Sequence, residues 1–226
     1  IVVDKDYNIK RIKDHFEYEN LVKNNKNILF SKKLLSNQKL LLFVSSGKVF
    51  TIDPLDIPGG NSNPKSFIYF VDSIPNDRVV GIFASDSNKV LIASKAGKGF
   101  ITDIKQQITN QRKGRQFFNL KNDDLVIKVF EIYKTHIICV TNSQKMLVFN
   151  KNVMPELQKS VGVQLIKIKK NDFLSDVIDI NPKDGLEWVT GSKKRKVNNI
   201  DFWIGKRAQA GKKIPKFFNK NLKFNN

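Results

Sequence analysis

Two runs of basic residues are the strongest candidates for chemistry in this sequence. One run places three cations around Gly114, and the other places four cations in succession from Lys193 to Lys196. Neighbouring like charges repel each other unless a polyanion neutralises them, so both runs favour binding of an anionic polymer over a role in solubility alone. Arginine is the residue whose planar fork reads guanine edges, and only 6 of the 40 basic residues are arginine. We therefore expect contacts to the backbone of a nucleic acid more than reading of its bases.

The overall charge supports the same interpretation. The formal charge is +19 and the isoelectric point about 9.9, values at which a nucleic-acid footprint is the first hypothesis. Aromatic residues do not alternate with the basic runs as in a base-stacking platform, so duplex DNA is favoured over single strands. Part of the charge also fits the codon bias of an A·T-rich genome, because Lys, Asn and Ile are abundant together. The residues predicted to bind the DNA backbone are Lys98, Arg112, Lys113, Arg115, Lys159, Lys167, Lys193, Lys194, Arg195, Lys206, Arg207, Lys212 and Lys213.

Motifs for catalysis are weak. The segment from Gly205 to Lys212 has the look of a phosphate-binding loop, but five residues separate its glycines where that motif has four. In addition, Lys213 stands where Ser or Thr should hold magnesium. His15 and His136 lack cysteines or clustered carboxylates at ligand spacing, which argues against a metal site. No nucleophile, base and oxyanion site come together, so we predict no catalytic, cofactor or metal site in this chain.

A strand–turn–strand unit recurs five times along the chain. Aligning the turns places Tyr7, Gly47, Gly97, Gln144 and Lys193 in register, at intervals of 40, 50, 47 and 49 residues. A period of about 40–50 residues is typical of propeller blades with four short strands, and a repeat of this size must bury its apolar face against a neighbour. We therefore predict a single all-β domain over residues 1–226, a propeller-like disc of five blades with about four strands each. The hairpins are predicted at 1–12, 40–52, 90–101, 137–149 and 186–197.

A second element repeats with nearly the same period. Loops that contain glycine and mostly basic residues centre on Gly60, Gly114, Gly162 and Gly211, at intervals of 54, 48 and 49 residues. Glycine accepts a positive φ and lets another backbone approach, while the neighbouring cations project outward. Equivalent loops on a ring of blades would fall on one rim, where we expect the basic residues. Each loop is predicted to lead into an apolar strand, at 67–71, 117–120, 163–168 and 214–217.

The remaining segments allow shorter predictions. Cys139 lies in an apolar strand and is expected to pack as a small hydrophobic residue. The longest apolar runs are far shorter than the ~18 residues that span a bilayer, and no leader opens the chain, so we predict a soluble, cytoplasmic protein. A strand already under way at Ile1, with no Met before it, indicates a fragment of a larger chain. Short helical turns are predicted at 53–57, 150–156 and 198–203, a longer strand or loop at 14–26, and a frayed tail at 219–226.

Several short stretches of the sequence are similar to segments of a known protein family and occur in the same order as in that family. They are Leu41–Lys48 (LLFVSSGK), Pro58–Gly60 (PGG), Ser94–Phe100 (SKAGKGF), Gly114–Gln116 (GRQ) with Asn119–Leu120 (NL), Gly162–Leu165 (GVQL), Leu174–Asp176 (LSD) and Asp201–Gly211 (DFWIGKRAQAG). With these stretches the sequence resembles the C-terminal domain of the A subunit of bacterial topoisomerase IV, a relative of the gyrase A-subunit tail. The resemblance covers nearly the whole chain in order, and the stretches are specific together although each is short.

This resemblance implies a five-bladed β-pinwheel, in which neighbouring blades exchange strands and duplex DNA binds along a basic outer rim. It implies a parent that is an ATP-dependent type IIA topoisomerase, using ATP and Mg²⁺ through other domains in decatenation, supercoil relaxation and chromosome segregation. The cleaving tyrosine of that family follows an arginine in another domain, whereas no tyrosine of this chain follows an arginine. The chain is thus expected to be a non-catalytic part that bends DNA and presents the transported segment. Its partners would be duplex DNA and the ATPase subunit together with the rest of the A subunit. The expected location is the nucleoid of the bacterial cytoplasm and not a membrane.

Two departures from the related proteins bear on function. Gyrase tails carry a Q-R-R-G-G-K-G box that drives chiral wrapping of DNA. The nearest match, Gln111–Gln116, lacks the second glycine and lies in the third repeat, which argues against strong wrapping. Phe217 stands where relatives usually have glycine before a phenylalanine. A gyrase-type tail that wraps DNA and a basic propeller that binds proteins stay open as alternatives.

Overall fold

The computed structural model describes residues 1–121, 123–191 and 193–224. Nearly all of its regular structure is antiparallel β-sheet, in four sheets of four strands and one of two strands. The chain divides into two compact units, one of residues 1–88 and 103–118 and the other of residues 89–102 and 119–226. The first unit holds two of the four-stranded sheets, and the second unit holds the remaining sheets. The all-β prediction is confirmed, while the single domain over 1–226 stays a prediction.

Five hairpins form the centre of the five sheets, as the repeat predicted. Four of their turns contain the predicted anchor residue with a positive φ, namely Tyr7 (59°), Gly47 (79°), Gly97 (74°) and Gln144 (59°). In the fifth hairpin the positive φ is at Gly191 (61°), and the predicted anchor Lys193 is instead the first residue of a strand. The hairpins are β1 Val2–Asp4 with β2 Asn8–Lys10, β4 Leu40–Val44 with β5 Lys48–Ile52, β8 Lys89–Ser94 with β9 Lys98–Asp103, β12 His136–Thr141 with β13 Lys145–Asn150, and β16 Leu186–Thr190 with β17 Lys193–Val197.

Two further strands complete each of the first four hairpins. An outer strand pairs with the first hairpin strand, and a two-residue strand pairs with the second hairpin strand. The outer strands are β3 Ile28–Ser31, β7 Val79–Ala84, β11 Val126–Glu131 and β15 Leu174–Ile180, and the two-residue strands are β6 Lys65–Ser66, β10 Arg115–Gln116, β14 Val163–Gln164 and β18 Lys212–Lys213. The sheet orders are β3-β1-β2-β6, β10-β5-β4-β7, β11-β8-β9-β14 and β15-β12-β13-β18, with β16-β17 alone.

The two-residue strands are exchanged along the chain. Strand β10, for example, follows the hairpin β8–β9 in sequence but pairs with β5 of the preceding hairpin. The residue after each exchanged strand donates its backbone N–H to the carbonyl of the hairpin turn, at 2.8 to 3.1 Å. These donor and acceptor pairs are Phe67 with Tyr7, Phe117 with Gly47, Leu165 with Gly97 and Ile214 with Gln144. The strand exchange that the resemblance implied is therefore present in four sheets.

The apolar strands predicted after the glycine loops are wrong in extent. Each exchanged segment pairs for only two residues, and some of the apolar residues that follow it then leave the sheet edge and enter the core, as Phe67 does, while others, such as Tyr69, are exposed. Phe117 and Leu165 are both fully buried although neither lies in a strand. After β6 the chain forms a 3₁₀ helix at Phe67–Tyr69 in place of the strand predicted at 67–71. Burial of the side chain, rather than extension of the sheet, explains why these runs are apolar.

Residues 14–26 contain the one α-helix of the described residues, α1 at His15–Asn24, where a strand or loop was predicted. Asp14 is its N-cap, with a side-chain oxygen that accepts the backbone N–H of Glu17 at 2.7 Å. No residue of α1 is buried. The apolar periodicity that usually reveals a helix is therefore weak here, and the capping pair was the available signal.

Short 3₁₀ helices follow the second strand of the later hairpins. Three of them fall within the predicted helical turns, at Pro54–Asp56, Lys151–Val153 and Asp201–Trp203, and a fourth is at Ile104–Gln107. Another 3₁₀ helix, Pro182–Asp184, follows the outer strand β15. The side chains of Asp53, Asp103 and Asn150 each accept a backbone N–H two residues ahead, at 2.9 Å. This repeated cap starts three of the turns and redirects the chain away from the sheet.

The apolar faces of the sheets pack into separate cores within the two units. The strand β4 is buried along its whole length, and Leu42 lies opposite Phe50 in the first unit. In the second unit Cys139 is fully buried among apolar side chains, as predicted. Burial and the nearby Asp176 carboxylate raise the pKa of its thiol, which keeps the sulfur protonated and unreactive.

The segment predicted to be a frayed tail packs instead against the second unit. Leu222 and Phe224 are buried, and the Phe224 ring lies 5.5 Å from that of Phe218. The backbone N–H of Phe224 donates to the Asp176 carboxylate at 2.9 Å, and the Lys223 ammonium donates to the carbonyl of Ser175. Two apolar residues among polar neighbours are therefore enough to hold 219–224 in place, because each meets a buried partner. Residues 225 and 226 lie outside the described residues.

Candidate nucleic-acid interface

Three loops that lead into exchanged strands are each held by a backbone hydrogen bond. In each case the donor lies in the segment that follows the preceding exchanged strand. We call residues 110–114, 159–162 and 206–211 the exchange loops. A loop carbonyl accepts a backbone N–H in each case, from Asp72 to Arg112 at 3.0 Å, from Asn119 to Ser160 at 2.8 Å and from Lys167 to Gln209 at 3.0 Å. The first tie lies in the first unit, and the other two lie in the second. The repeated tie gives basic loops of similar sequence a similar local environment.

The exchange loop at 110–114 turns tightly at Gly114, which has a φ of 71°. A Cβ at this position would lie 2.6 Å from the Phe50 ring and 2.8 Å from the carbonyl of Val49, so the loop requires glycine. Arg112 donates through Nε to the Asp72 carboxylate at 3.0 Å. Its guanidinium thus helps hold the loop, whereas the Lys113 side chain is exposed.

Arg115 follows this loop in β10 and donates through Nη1 to the carbonyl of Gln106. Arg112 makes a comparable bond, donating through Nη2 to the carbonyl of Tyr69 at 3.1 Å. Both arginines therefore have structural partners in addition to any ligand. Of the three cations predicted around Gly114, Lys113 is the one with the most freedom to meet a phosphate.

The exchange loop at 206–211 brings three predicted residues together in the second unit. Arg207 donates through Nη1 to the carbonyl of Gln164 at 2.7 Å, and the Lys167 backbone is tied to the same loop at Gln209. Lys206 and Lys167 present exposed side chains beside the half-buried Arg207. No helix follows this loop, because Lys212–Lys213 forms the exchanged strand β18. The segment is thus a basic surface loop, and a phosphate-binding loop would require a helix at that place.

Glutamine side chains close two of the exchanged strands onto their hairpins. Gln164 donates through Nε2 to the carbonyls of Ala96, Gly97 and Ile166, at 3.1, 3.2 and 2.7 Å. Gln116 makes the equivalent bonds in the preceding sheet, to Ser46 and Phe118. The backbone beside Lys98, which lies opposite Gln164, is fixed by these bonds.

A lysine opens the second strand of four hairpins. These lysines are Lys48, Lys98, Lys145 and Lys193. Lys98 and Lys193 were predicted to bind DNA, whereas Lys48 and Lys145 were not. A lysine one residue after the turn anchor was nevertheless a visible signal in the second, third and fourth hairpins. Lys48 also contacts the first exchange loop, where its Nζ lies 3.3 Å from the carbonyl of Lys113.

The strand β17 carries the densest run of cations. Lys194 and Lys196 form ion pairs with Glu187 on the neighbouring strand, at 3.0 and 3.1 Å. Hydrogen bonds from these two lysines lower the pKa of the Glu187 carboxyl. Lys193 is exposed, and the Arg195 guanidinium lies 4.5 Å from the centre of the Phe217 ring. Ser192, which begins the predicted basic turn, lies outside the described residues.

The exchanged strand β18 adds two exposed cations. Lys213 lies opposite Lys145, and the Lys212 ammonium lies 4.7 Å from the centre of the Phe202 ring. Lys159 is exposed in its exchange loop. Arg112, Lys113 and Arg115 thus lie in the first unit and the other ten predicted residues in the second. Their role in binding DNA stays a prediction.

Other chemistry has little support in the part of the chain that the structure describes. Within it, no three His, Cys, Asp or Glu side chains are grouped so that they could hold a metal ion. The imidazole of His136 has a pKa lowered by burial and lies 2.9 Å from the hydroxyl of Thr135. No helix among the described residues has the length and apolar character to cross a membrane.

Comparison with known proteins places this fold in a recognised class. No protein-family model matches the sequence. The structure of the E. coli ParC C-terminal domain matches with a TM-score of 0.82 and 22% identity, covering 97% of this chain and 94% of that chain. The structure of a DNA gyrase A C-terminal domain matches with a TM-score of 0.61 and 18% identity, covering 88% and 68%. The fold is therefore the β-pinwheel of the C-terminal domains of topoisomerase A subunits, and its fifth sheet has two strands within the described residues.

Sequence relatives are more specific. The A subunit of DNA topoisomerase 4 from Rickettsia bellii is 32% identical over 195 residues, which are 86% of this chain and 26% of the relative. The protein of the same name from Rickettsia felis is 33% identical over 190 residues, covering 84% and 26%. This chain is homologous to the C-terminal domain of the DNA topoisomerase 4 A subunit. It spans about a quarter of the length of these relatives.

Proposed function

We propose that this chain is a non-catalytic domain that binds and bends duplex DNA through phosphate contacts within a topoisomerase IV A subunit. The observation that carries the proposal is the repeated tie of the three exchange loops. Because backbone bonds hold each loop, the exposed side chains of Lys113, Lys159 and Lys206 project from fixed positions. Binding therefore does not have to order the backbone of these loops, and the net charge of +19 attracts a polyanion at long range.

In this proposal the domain presents a transported DNA segment to a cleavage core elsewhere in the parent. The parent is an ATP-dependent type IIA topoisomerase that decatenates and relaxes DNA during chromosome segregation. Its cleaving tyrosine and its use of ATP and Mg²⁺ belong to other domains, and its partners are the ATPase subunit together with the rest of the A subunit. The place of action is the nucleoid of the bacterial cytoplasm. Homology to the topoisomerase IV A subunit supports these assignments.

The salt dependence of duplex affinity tests the proposal. A triple variant with Lys113→Gln, Lys159→Gln and Lys206→Gln removes one exposed lysine from each exchange loop. We expect the slope of log K against log salt to become shallower by about 3, roughly one unit for each lost phosphate contact. Affinity is measured by fluorescence anisotropy on a duplex of random sequence and on a pre-bent duplex of the same length.

A matched control separates loop position from total charge. Lys23, Lys26 and Lys183 are also exposed lysines but lie outside the exchange loops. Their replacement by glutamine removes the same charge and should leave the salt slope within about one unit of the wild-type value. Equal loss in both triple variants would contradict a loop-based interface. Weak binding by the wild-type chain with a shallow slope would favour the protein-binding alternative.

The gyrase alternative receives less support. The gyrase A domain gives the lower TM-score, 0.61 against 0.82, and the nearest match to the wrapping box lacks its second glycine. A negative-supercoiling assay on the parent enzyme distinguishes the two functions. Introduction of negative supercoils would favour the gyrase function, and relaxation with decatenation would favour topoisomerase IV.

A further inference from the structure

Phe217 has a strained backbone and an exposed ring. Its φ is 62°, in the left-handed region where a bulky residue is uncommon. The residue is 66% exposed, whereas the neighbouring Phe218 is buried. The hydrophobic core next to this segment is filled by Phe218, so the Phe217 ring does not contribute to it. Strain of this kind persists only where the surroundings fix the backbone, and it points to function when the side chain makes no use of the core.

The surroundings do fix this backbone. The carbonyl of Phe217 accepts the indole N–H of Trp188 at 2.9 Å and the hydroxyl of Thr190 at 3.0 Å. Trp188 is itself buried, and the Thr190 hydroxyl oxygen also lies 3.1 Å from the side-chain oxygen of the buried Asn219. Two donors on β16 thus hold the peptide that carries the ring. The backbone that carries the ring is therefore ordered before any ligand arrives.

Cations lie on and beside the ring. The Arg195 guanidinium is 4.5 Å from the ring centre, and Lys216 and Lys220 are exposed on the same segment of chain. An exposed phenylalanine elsewhere has a different setting, because Phe16 on α1 is followed by Glu17 and Glu19. An apolar ring among cations has the two parts that a nucleic acid meets at a kinked step, namely phosphates and the faces of bases.

We propose that Phe217 inserts at a base step of bound duplex DNA and fixes the point at which the duplex bends. The proposal rests on the DNA binding proposed above and adds the contact that would produce bending. Phosphate contacts by Arg195, Lys216 and Lys220 hold the backbone on both sides of the step. The ring replaces part of the lost stacking between the separated base pairs, which lowers the cost of the bend.

The experiment uses the 226-residue chain with duplexes that carry 2-aminopurine at the centre, either fully paired or beside a single mismatch. The wild-type chain should raise the 2-aminopurine fluorescence and prefer the mismatched duplex on the order of tenfold, because its step is already weakened. Phe217→Gly should abolish both effects. Glycine accepts the same φ, so the melting midpoint should equal or exceed that of the wild-type chain.

Two measurements keep this result separate from a general loss of binding. The slope of log K against log salt should be the same for Phe217→Gly and the wild-type chain, because no cation is removed. Phe16→Ala, which removes the exposed ring on α1, should change neither fluorescence nor preference. Salt-steep binding with unchanged fluorescence, or a Phe217→Gly chain that keeps the preference for the mismatch, would overturn this inference alone. Absence of salt-steep binding by the wild-type chain would overturn the proposed function as well.

Discussion

Four hairpins of this chain are completed by exchanged strands, and the fifth is not within the described residues. In the completed sheets the residue after the exchanged strand bonds to the turn carbonyl, as Phe117 does to Gly47. The turn at Gly191 has the same kind of positive φ, but a Cβ placed on this glycine would have no atom of the described residues within 4 Å. A turn residue with a positive φ therefore lies beneath an exchanged strand in four hairpins, whereas no exchanged strand of the described residues covers the turn at Gly191.

The completed hairpins and the fifth hairpin also differ in how their second strands are used, for packing in the core or for carrying exposed charge. The second strands of three completed hairpins, β5, β9 and β13, bury most of their residues, whereas the short β2 buries one of three. The strand β17 buries none and carries four cations in its five residues. A strand edge covered by another segment contributes to the core, whereas an edge left open is available to carry charge. Different copies of the same repeat can thus have different roles, with earlier copies packing in the core and the fifth copy carrying exposed charge.

The sharpest test of this contrast is to place the same methyl group in both kinds of turn. A Cβ at Gly47 would lie 2.5 Å from the carbonyl oxygen of Phe118, in addition to the cost of its φ of 79°. We expect Gly47→Ala to lower the free energy of unfolding by about 3 kcal/mol. Gly191→Ala meets only the cost of the left-handed backbone and should lose about 1 kcal/mol. Urea unfolding followed by circular dichroism gives both values, and equal losses would show that the exchanged strand does not constrain the turn.

The glutamines of the exchanged strands provide a second, smaller contrast. Gln164→Ala removes bonds to three carbonyls and should cost about 1–2 kcal/mol of unfolding free energy. Lys213 occupies the same register position in the next sheet, opposite Lys145, and its side chain is exposed. Lys213→Ala should therefore cost less than about 0.5 kcal/mol. Both residues lie in the second unit with Trp188 and Trp203, so fluorescence during urea unfolding reports both. A costly Lys213→Ala would mean that the register position, and not the glutamine amide, provides the stability.

The hairpins could be predicted because local signals coincide there. Continuous apolar runs such as β4 and β8 end at a turn residue that accepts a positive φ, at Gly47 and Gly97. The two-residue exchanged strands have no such period, so the apolar runs after them, such as the one beginning at Phe67, were mistaken for strands. The helix α1 was missed because it buries no face, although Asp14 and Glu17 form a capping signal.

The type and position of the residues in the candidate site could be predicted from the sequence, but their hydrogen-bond partners could not. Runs of cations at loops and turns are visible in the sequence, and the structure leaves Lys113, Lys159 and Lys206 exposed there. The partners of Arg112 and Arg207 are distant in sequence, at Asp72 and Gln164, and depend on the exchange of strands. Non-local hydrogen bonds of this kind follow from tertiary structure, so composition and spacing could not reveal them.

The smallest predicted effect concerns Glu187, a carboxylate that faces the basic strand of the open hairpin. Glu187 pairs with Lys194 and Lys196, and these hydrogen bonds lower its pKa. Its contribution to stability is therefore present above its unfolded pKa of about 4.5 and is lost as the pH falls through the lower, folded value.

Glu187→Gln should free both lysines and raise duplex affinity about threefold at low salt, with little change near 1 M salt where charges are screened. Glu17→Gln on α1 changes the net charge equally and should raise affinity less. If the two variants bind alike, total charge rather than the open strand determines the affinity, and the contrast between the completed and open hairpins would not extend to DNA binding.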